Sequence, residues 1–235
     1  MNNNTSNGFT MAEVLITIGI IGLVAAMTLP TLVQKYQTHV VETRLKKFYT
    51  IMNQAVLLSK SKNGDIEGWT YWIKEEKDED GNDINMSDAT DKSFQIYLAP
   101  FLNILYKKEL IDGNGQKRYL YELTDGSAFA YQYHQNREII FFPSNAEKCI
   151  KLPKKESFGL CAFAFQFYPI ENTDLWKYLY NKGVEPYMHN WDGKDESLYT
   201  GSTYSCDGDN PNYCTAIIAR NGWKVPKNYP KRIRW

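Results

Sequence analysis

Glu13 is the residue in this chain whose type and position most need a chemical explanation. From Phe9 to Leu29 the sequence FTMAEVLITIGIIGLVAAMTL holds no Lys, Arg or Asp, and Glu13 is its single ionisable side chain. At about 1.5 Å per residue this stretch is long enough to cross a bilayer as a helix. A carboxylate in hydrocarbon is costly and persists where a cation neutralises it, so Glu13 reads as a functional group that needs a partner charge. The plainer alternative is that it pairs with its own chain or reaches the headgroups.

The residues around Glu13 suggest what that charge is. Gly8-Phe9-Thr10-Met11-Ala12-Glu13 follows a short polar leader and precedes an apolar helix that runs to Pro30. This arrangement resembles the processing and assembly signal of type IV pilins and type II secretion pseudopilins. The resemblance implies that a prepilin peptidase cuts between Gly8 and Phe9 and methylates the new N-terminal Phe9, and that Glu13 is the assembly carboxylate. Cleavage would create an α-amino group with a pKa near about 8, and methylation keeps its charge. Phe9 and Glu13 are four apart, roughly 6 Å along a helix, so the amine of one subunit can meet Glu13 of a neighbour displaced by about a turn. A buried pair that forms only when subunits stack acts as a register device. The leader departs from the family pattern, because residues 1–7 contain no Lys or Arg, and the nearest basic residues, Lys35, Arg44, Lys46 and Lys47, follow the helix. An ordinary secretory signal cut after Val24-Ala25-Ala26 would place a charge inside its apolar region and leave its n-region uncharged, so it fits less well.

The totals exclude several classes. The chain has 235 residues with 27 basic and 27 acidic side chains, so no net field draws it to nucleic acid or an anionic surface. Its length suits an anchor plus one domain. All 4 cysteines lie from Cys149 onward, which fits an oxidising compartment once the anchor holds the rest of the chain outside the cytoplasm.

The elements that must position Glu13 follow from periodicity. Gly19 and Gly22 weaken the apolar helix, and Pro30 removes one hydrogen bond to the carbonyl of Ala26. The family resemblance implies that this region loosens on assembly, and close helix packing at the glycines is the alternative reading. Beyond Pro30, Val33, Tyr36, Val40, Val41, Leu45, Phe48, Met52 and Val56 recur mostly three or four apart, an amphipathic helix that ends near Asn63-Gly64. Residues 65–91 read as an acidic loop; its Asp78 to Asp83 run lacks the ligand spacing of a calcium-binding EF-hand. Residues 93–110 read as a helix, or two broken by Pro100.

The period then changes to two. Residues 119–123 and 129–133 flank the turn Thr124-Asp125-Gly126-Ser127, and residues 138–142 and 158–168 add two strands, the second with Cys161, Phe163, Phe165 and Phe167 on one face. The fold class is therefore α+β, with a long N-terminal helix covering the apolar face of a small antiparallel sheet, which is also the fold the pilin resemblance implies. The expected organisation is a leader at 1–8, a transmembrane helix at 9–30, its amphipathic continuation at 31–60, and an extracytoplasmic head at 61–235. Within the head the sheet would occupy about 117–168 and an irregular disulfide-bearing region 169–235.

Cys206 and Cys214 bracket a span that can hardly fold without a staple, so they are paired; Cys149 with Cys161 is then left, one of the three connectivities that four cysteines allow. Residues 215–220 read as a helical turn stopped by Asn221-Gly222. The segment CTAIIARNGWK resembles tails of prepilin-type secretion proteins. Some pseudopilins hold calcium near the C-terminus, which would here enlist Asp207 and Asp209 with Asp192 or Asp195; a disulfide-closed turn without a metal is the preferred reading, so no cofactor is expected.

No phosphate loop, zinc-spaced cysteine pair or nucleophile elbow is present, and three scattered His make no triad, so an enzyme is not expected. The function that emerges is a structural pilin-like subunit of the inner membrane. Its partners would be the peptidase, other pilin or pseudopilin subunits and the inner-membrane assembly machinery. The alternative is a minor pilin whose basic, aromatic tail from Trp223 to Trp235 binds DNA or secreted cargo at a filament tip. A complementary contact between that tail and the acidic loop weighs against DNA.

Overall fold

In a computed structural model the chain is described over residues 10–69, 86–132, 137–167, 174, 178–179 and 182–234. The first element, α1 (Met11–Asn63), is a single helix of 53 residues. It starts at a capping box: Glu13 N–H donates to Thr10 Oγ1 at 3.3 Å while Thr10 N–H donates to Glu13 Oε2 at 2.8 Å. It stops at Gly64, whose φ of 80° takes the chain out of the helix while its N–H still donates to Lys60 O. Pro30 lies inside it, and the helix continues through that position.

The buried side chains of α1 are Val41, Leu45, Phe48, Met52, Ala55, Val56 and Ser59, a stripe with steps of three and four. This stripe lies on a sheet. Among the described residues the sheet has six antiparallel strands in sequence order, a meander: β1 (Ile104–Ile111), β2 (Lys117–Leu123), β3 (Ala128–Gln132), β4 (Glu138–Phe142), β5 (Phe163–Phe167) and β6 (Val184–Pro186). The period of two sorts the side chains by size. Tyr121, Phe129, Phe141, Phe163, Phe165 and Phe167 face α1, while Leu120, Ala128, Ala130, Ile140 and Ala164 belong to a second buried cluster on the opposite face. Three alanines there leave room for the C-terminal third of the chain to approach closely.

That segment supplies the second cover. Short helices α3 (Ala146–Cys149) and α4 (Lys154–Ser157) precede β5, and α5 (Asp195–Tyr199) and α6 (Cys214–Arg220) follow β6. Tyr187, Trp191, Tyr213, Ala216 and Ile217 pack into the second cluster. Cys149 is bonded to Cys161 and Cys206 to Cys214.

Several expectations are corrected. The sheet runs from Ile104 to Pro186 rather than about 117–168, because residues 104–111 form edge strand β1 where a helix was expected. The helix before it, α2 (Met86–Tyr97), starts earlier and absorbs the end of the acidic loop. Its carboxylates tie it to the sheet: Tyr119 Oη donates to Asp88 at 2.5 Å, Lys117 pairs with Asp88 at 2.9 Å, and Tyr121 donates to Asp91. Residues 158–162 are a turn with one isolated bridge, so Cys161 sits in the second cluster and not in line with Phe163, Phe165 and Phe167. The region 169–235 is not wholly irregular, since it holds β6, α5 and α6. Residues 70–85, the core of the expected acidic loop, lie outside the described residues.

Candidate processing and assembly site

The N-terminal half of α1 stands clear of the head. Every residue from Thr10 to Val33 is exposed except Ala25, which is partly covered. At 1.5 Å per residue, residues 11–33 form a rod of about 34 Å, close to the thickness of a bilayer core. Its 18-residue apolar window contains no buried residue and is apolar enough to cross a membrane. The hydroxyls in this rod are internally satisfied: Thr17 donates to the carbonyl of Glu13, and Thr28 Oγ1 to Val24 O at 2.9 Å. A Cβ added at Gly19 or Gly22 would meet nothing within 4 Å, so neither glycine is used for packing inside one subunit.

Glu13 sits at the tip of this rod. Besides the capping box, its Oε2 accepts from Thr10 Oγ1 at 2.7 Å. Both of its partners belong to Thr10, so loss of residues 1–8 would leave the first turn of the helix with its cap. Gly8 and Phe9 lie outside the described residues.

Among the described residues the head grips the second half of α1, beginning at Gln34. Gln34 Nε2 donates to Ile233 O at 2.8 Å, and Arg232 Nε donates to Gln34 Oε1 at 2.8 Å. Two turns on, Glu42 accepts from Lys224 Nζ at 2.8 Å and from the Val225 N–H at 2.9 Å. Arg44 donates to the carbonyls of Pro143 and Asp125, and Lys47 pairs with the Asp125 carboxylate at 2.8 Å. Burial acts to raise Asp125, but the Lys47 ammonium and the Ser127 hydroxyl and N–H outweigh it and hold the carboxyl at about 2. Further along, Tyr49 Oη donates to Glu185 Oε1 at 2.9 Å. Burial, then this carboxylate, pushes the Tyr49 phenol up to about 12, and burial raises Glu185 as well. Asn53 closes the series, donating to Val184 O at 2.7 Å and accepting from its N–H at 3.1 Å.

The C-terminal tail is therefore a strap along α1. Trp223 packs on Tyr49 with ring centres 5.0 Å apart and stacks on Phe165 at 6.4 Å, and Ile233 is buried. The described contacts of this tail go to α1 and to residues 155–165, and the core of the acidic loop expected to receive it, residues 70–85, lies outside the described residues. The Glu42–Lys224 and Gln34–Arg232 contacts span 182 and 198 residues, and sequence spacing carried no signal for them.

Three of the four aspartates considered for calcium are engaged separately. Asp209 pairs with Lys155 at 2.9 Å, Asp195 with Arg220 at 2.8 Å, and Asp192 accepts from Lys194 N–H and Ser197 Oγ. Among the described residues no three His, Cys, Asp or Glu side chains gather to hold a metal ion.

Comparison with known families divides the chain near Pro30. Residues 3–29 match the prokaryotic N-terminal methylation motif, and residues 31–233 match a family of unknown function (DUF6613). No curated protein and no solved structure matches the chain.

Proposed function

The chain belongs to the family of unknown function matched along residues 31–233 and carries, along residues 3–29, the N-terminal methylation motif that is the signature of type IV pilins and pseudopilins; from these facts we propose that it is a structural filament subunit. In this reading a prepilin peptidase cleaves after Gly8 and methylates Phe9. The rod from Phe9 to Pro30 then anchors the subunit as a single span in the inner membrane, with the head outside the cytoplasm. The two disulfides support that side of the membrane, since such bonds persist in oxidising compartments. Assembly into a secretion pseudopilus or a type IV pilus would bring the Phe9 amine of one subunit to Glu13 of the next, with the inner-membrane assembly machinery driving the transfer. The role is structural, not catalytic.

One observation carries this reading: the methylation motif runs without a break into a rod that a single subunit leaves exposed from Thr10 to Val33, with Glu13 as its lone carboxylate. Apolar surface of that extent needs lipid or neighbouring rods to cover it. The decisive variant is Glu13→Ala. Membrane insertion and cleavage should be retained while incorporation into sheared filaments or cross-linked oligomers is lost, and filaments formed at the normal level would sink the proposed pairing. The stacking of Trp223 on Phe165 and its packing on Tyr49 disfavour the alternative of a base-stacking tail at a filament tip.

A further inference from the structure

The charge balance of the whole chain conceals a local imbalance. Formal net charge is zero, yet residues 148–157 carry four lysines against Glu156, and residues 223–234 carry five basic side chains and no acidic one. The fold brings these two segments together. Lys231 Nζ donates to Lys155 O at 3.2 Å, Arg234 donates to Glu156 O at 3.0 Å, and the Arg234 N–H donates to Leu160 O at 3.1 Å. Between them lies a hollow of about 320 Å³ whose rim includes Asn145, Lys148, Glu156 and Arg234. Burial, with a smaller contribution from the nearby Lys155, holds the Lys231 ammonium below its ordinary range. Among the described residues the acidic neighbours are Glu147 near Lys151, Glu156 beside the hollow, Asp209 on Lys155 and Asp207 near Lys231.

The position of this surface matters as much as its sign. The strap descends α1 from Glu42, held by Lys224, to Gln34, held by Arg232 and Ile233. Gln34 is four residues past Pro30, about 6 Å along the helix from the end of the apolar rod. Lys35, the next residue along α1, is exposed, and so are Lys148, Lys155, Arg232 and Arg234. A cationic surface this close to the end of a membrane-spanning rod meets the headgroup layer whenever the rod is in the bilayer.

We propose that the surface formed by Lys35, Lys148, Lys155, Lys231, Arg232 and Arg234 docks on anionic phospholipid headgroups and seats the head on the membrane before the subunit enters a filament. This rests on the reading of the rod as a membrane span. Continuity with the rod is what favours a lipid surface over a nucleic acid, whose phosphates would offer similar chemistry. Each cation near an anionic surface contributes about fivefold to affinity, so a handful suffices to hold a tethered head.

The test uses the full-length protein reconstituted into vesicles of phosphatidylcholine alone or mixed with phosphatidylglycerol, labelled with a membrane-impermeant amine reagent and mapped by mass spectrometry. Lys35, Lys148 and Lys155 should label at least about fivefold more slowly in the anionic vesicles. Lys62, at the far end of α1, should not change. The protection should vanish in about 1 M salt, where the screening length falls to about 3 Å. The double variant Arg232→Gln, Arg234→Gln should bring the ratio toward one; an unchanged ratio would remove the strap from the proposal. Equal labelling in both vesicles, with the protein floating with each, would overturn headgroup docking and leave the membrane span standing. Failure to float with either would instead overturn the span. Protection by duplex DNA in neutral vesicles, matching or exceeding that by anionic lipid, would assign the surface to a nucleic acid.

Discussion

Replacing Phe48 with Ala should uncouple the head from the helix that carries it. Phe48 is 1% exposed and meets three strands at once: it stacks on Phe141 at 4.4 Å, meets Phe165 edge-on at 5.1 Å and Phe129 at 5.4 Å. Truncation of a buried Phe costs about 3–5 kcal/mol, and the cost is greatest where the surroundings cannot collapse into the space. Here the walls are rings on hydrogen-bonded strands, so the upper half of that range is expected. In urea unfolding of the detergent-solubilised protein, followed by tryptophan fluorescence, a slope of about 2 kcal/mol per molar converts this to a midpoint lowered by roughly 2 M. Phe48→Leu keeps most of the volume and should cost only about 1–2 kcal/mol. Leu57→Ala, at a position 67% exposed on the same helix, should stay within about 0.5 kcal/mol. A loss below about 1 kcal/mol for Phe48→Ala would refute the idea that this helix is the cover of the sheet.

Two further outcomes follow from the head. The double variant Cys206→Ser, Cys214→Ser opens a link between residues separated by 8 in sequence, and loop-closure entropy puts the cost at about 2.5 kcal/mol; an unchanged thermal midpoint would mean the C-terminal cover holds without its staple. Asp125, held at about 2 by Lys47 and Ser127 against the effect of burial, has an unfolded value near about 3.9, so its contribution to stability is present above about pH 4 and lost as pH falls through about 2. Asp125→Asn should therefore be less stable than the parent at neutral pH and converge with it in acid, and parallel acid-unfolding curves would show that the carboxylate contributes nothing there.

The elements that declared themselves in the sequence were those whose period stayed regular. The stripe from Val41 to Ser59 and the alternation across Tyr121, Phe129 and Phe141 each report one buried face, and both faces meet in the main core. Edge strand β1 was misread because Phe101, Leu102 and Leu105 continue the three-and-four spacing of Phe94, Tyr97 and Leu98, while its exposed Leu105, Tyr106 and Ile111 mask the alternation of a half-buried strand. The second face of the sheet was missed for a related reason: Ala128, Ala130 and Ala164 are small and read as neutral, although they are small because another layer lies on them.

At the N-terminus the residues that carry chemistry are adjacent in sequence, and a local motif needs no fold to be read. The strap is the opposite case. Glu42 and Lys224, or Gln34 and Arg232, become neighbours only once the sheet, its second cover and the return of the tail are all in place. The basic tail was visible in the sequence; its seat along α1, and its nearness to the end of the apolar rod, were not.

Processing between Gly8 and Phe9 is the event from which the filament reading follows, and the intact mass and N-terminal sequence of the membrane-extracted protein report it directly. The expected chain begins at N-methylated Phe9, with Glu13 as its fifth residue. A chain starting near Met27 would identify a secreted protein, and one that retains Met1 a plain anchored one; either result would contradict assembly through the N-terminal helix.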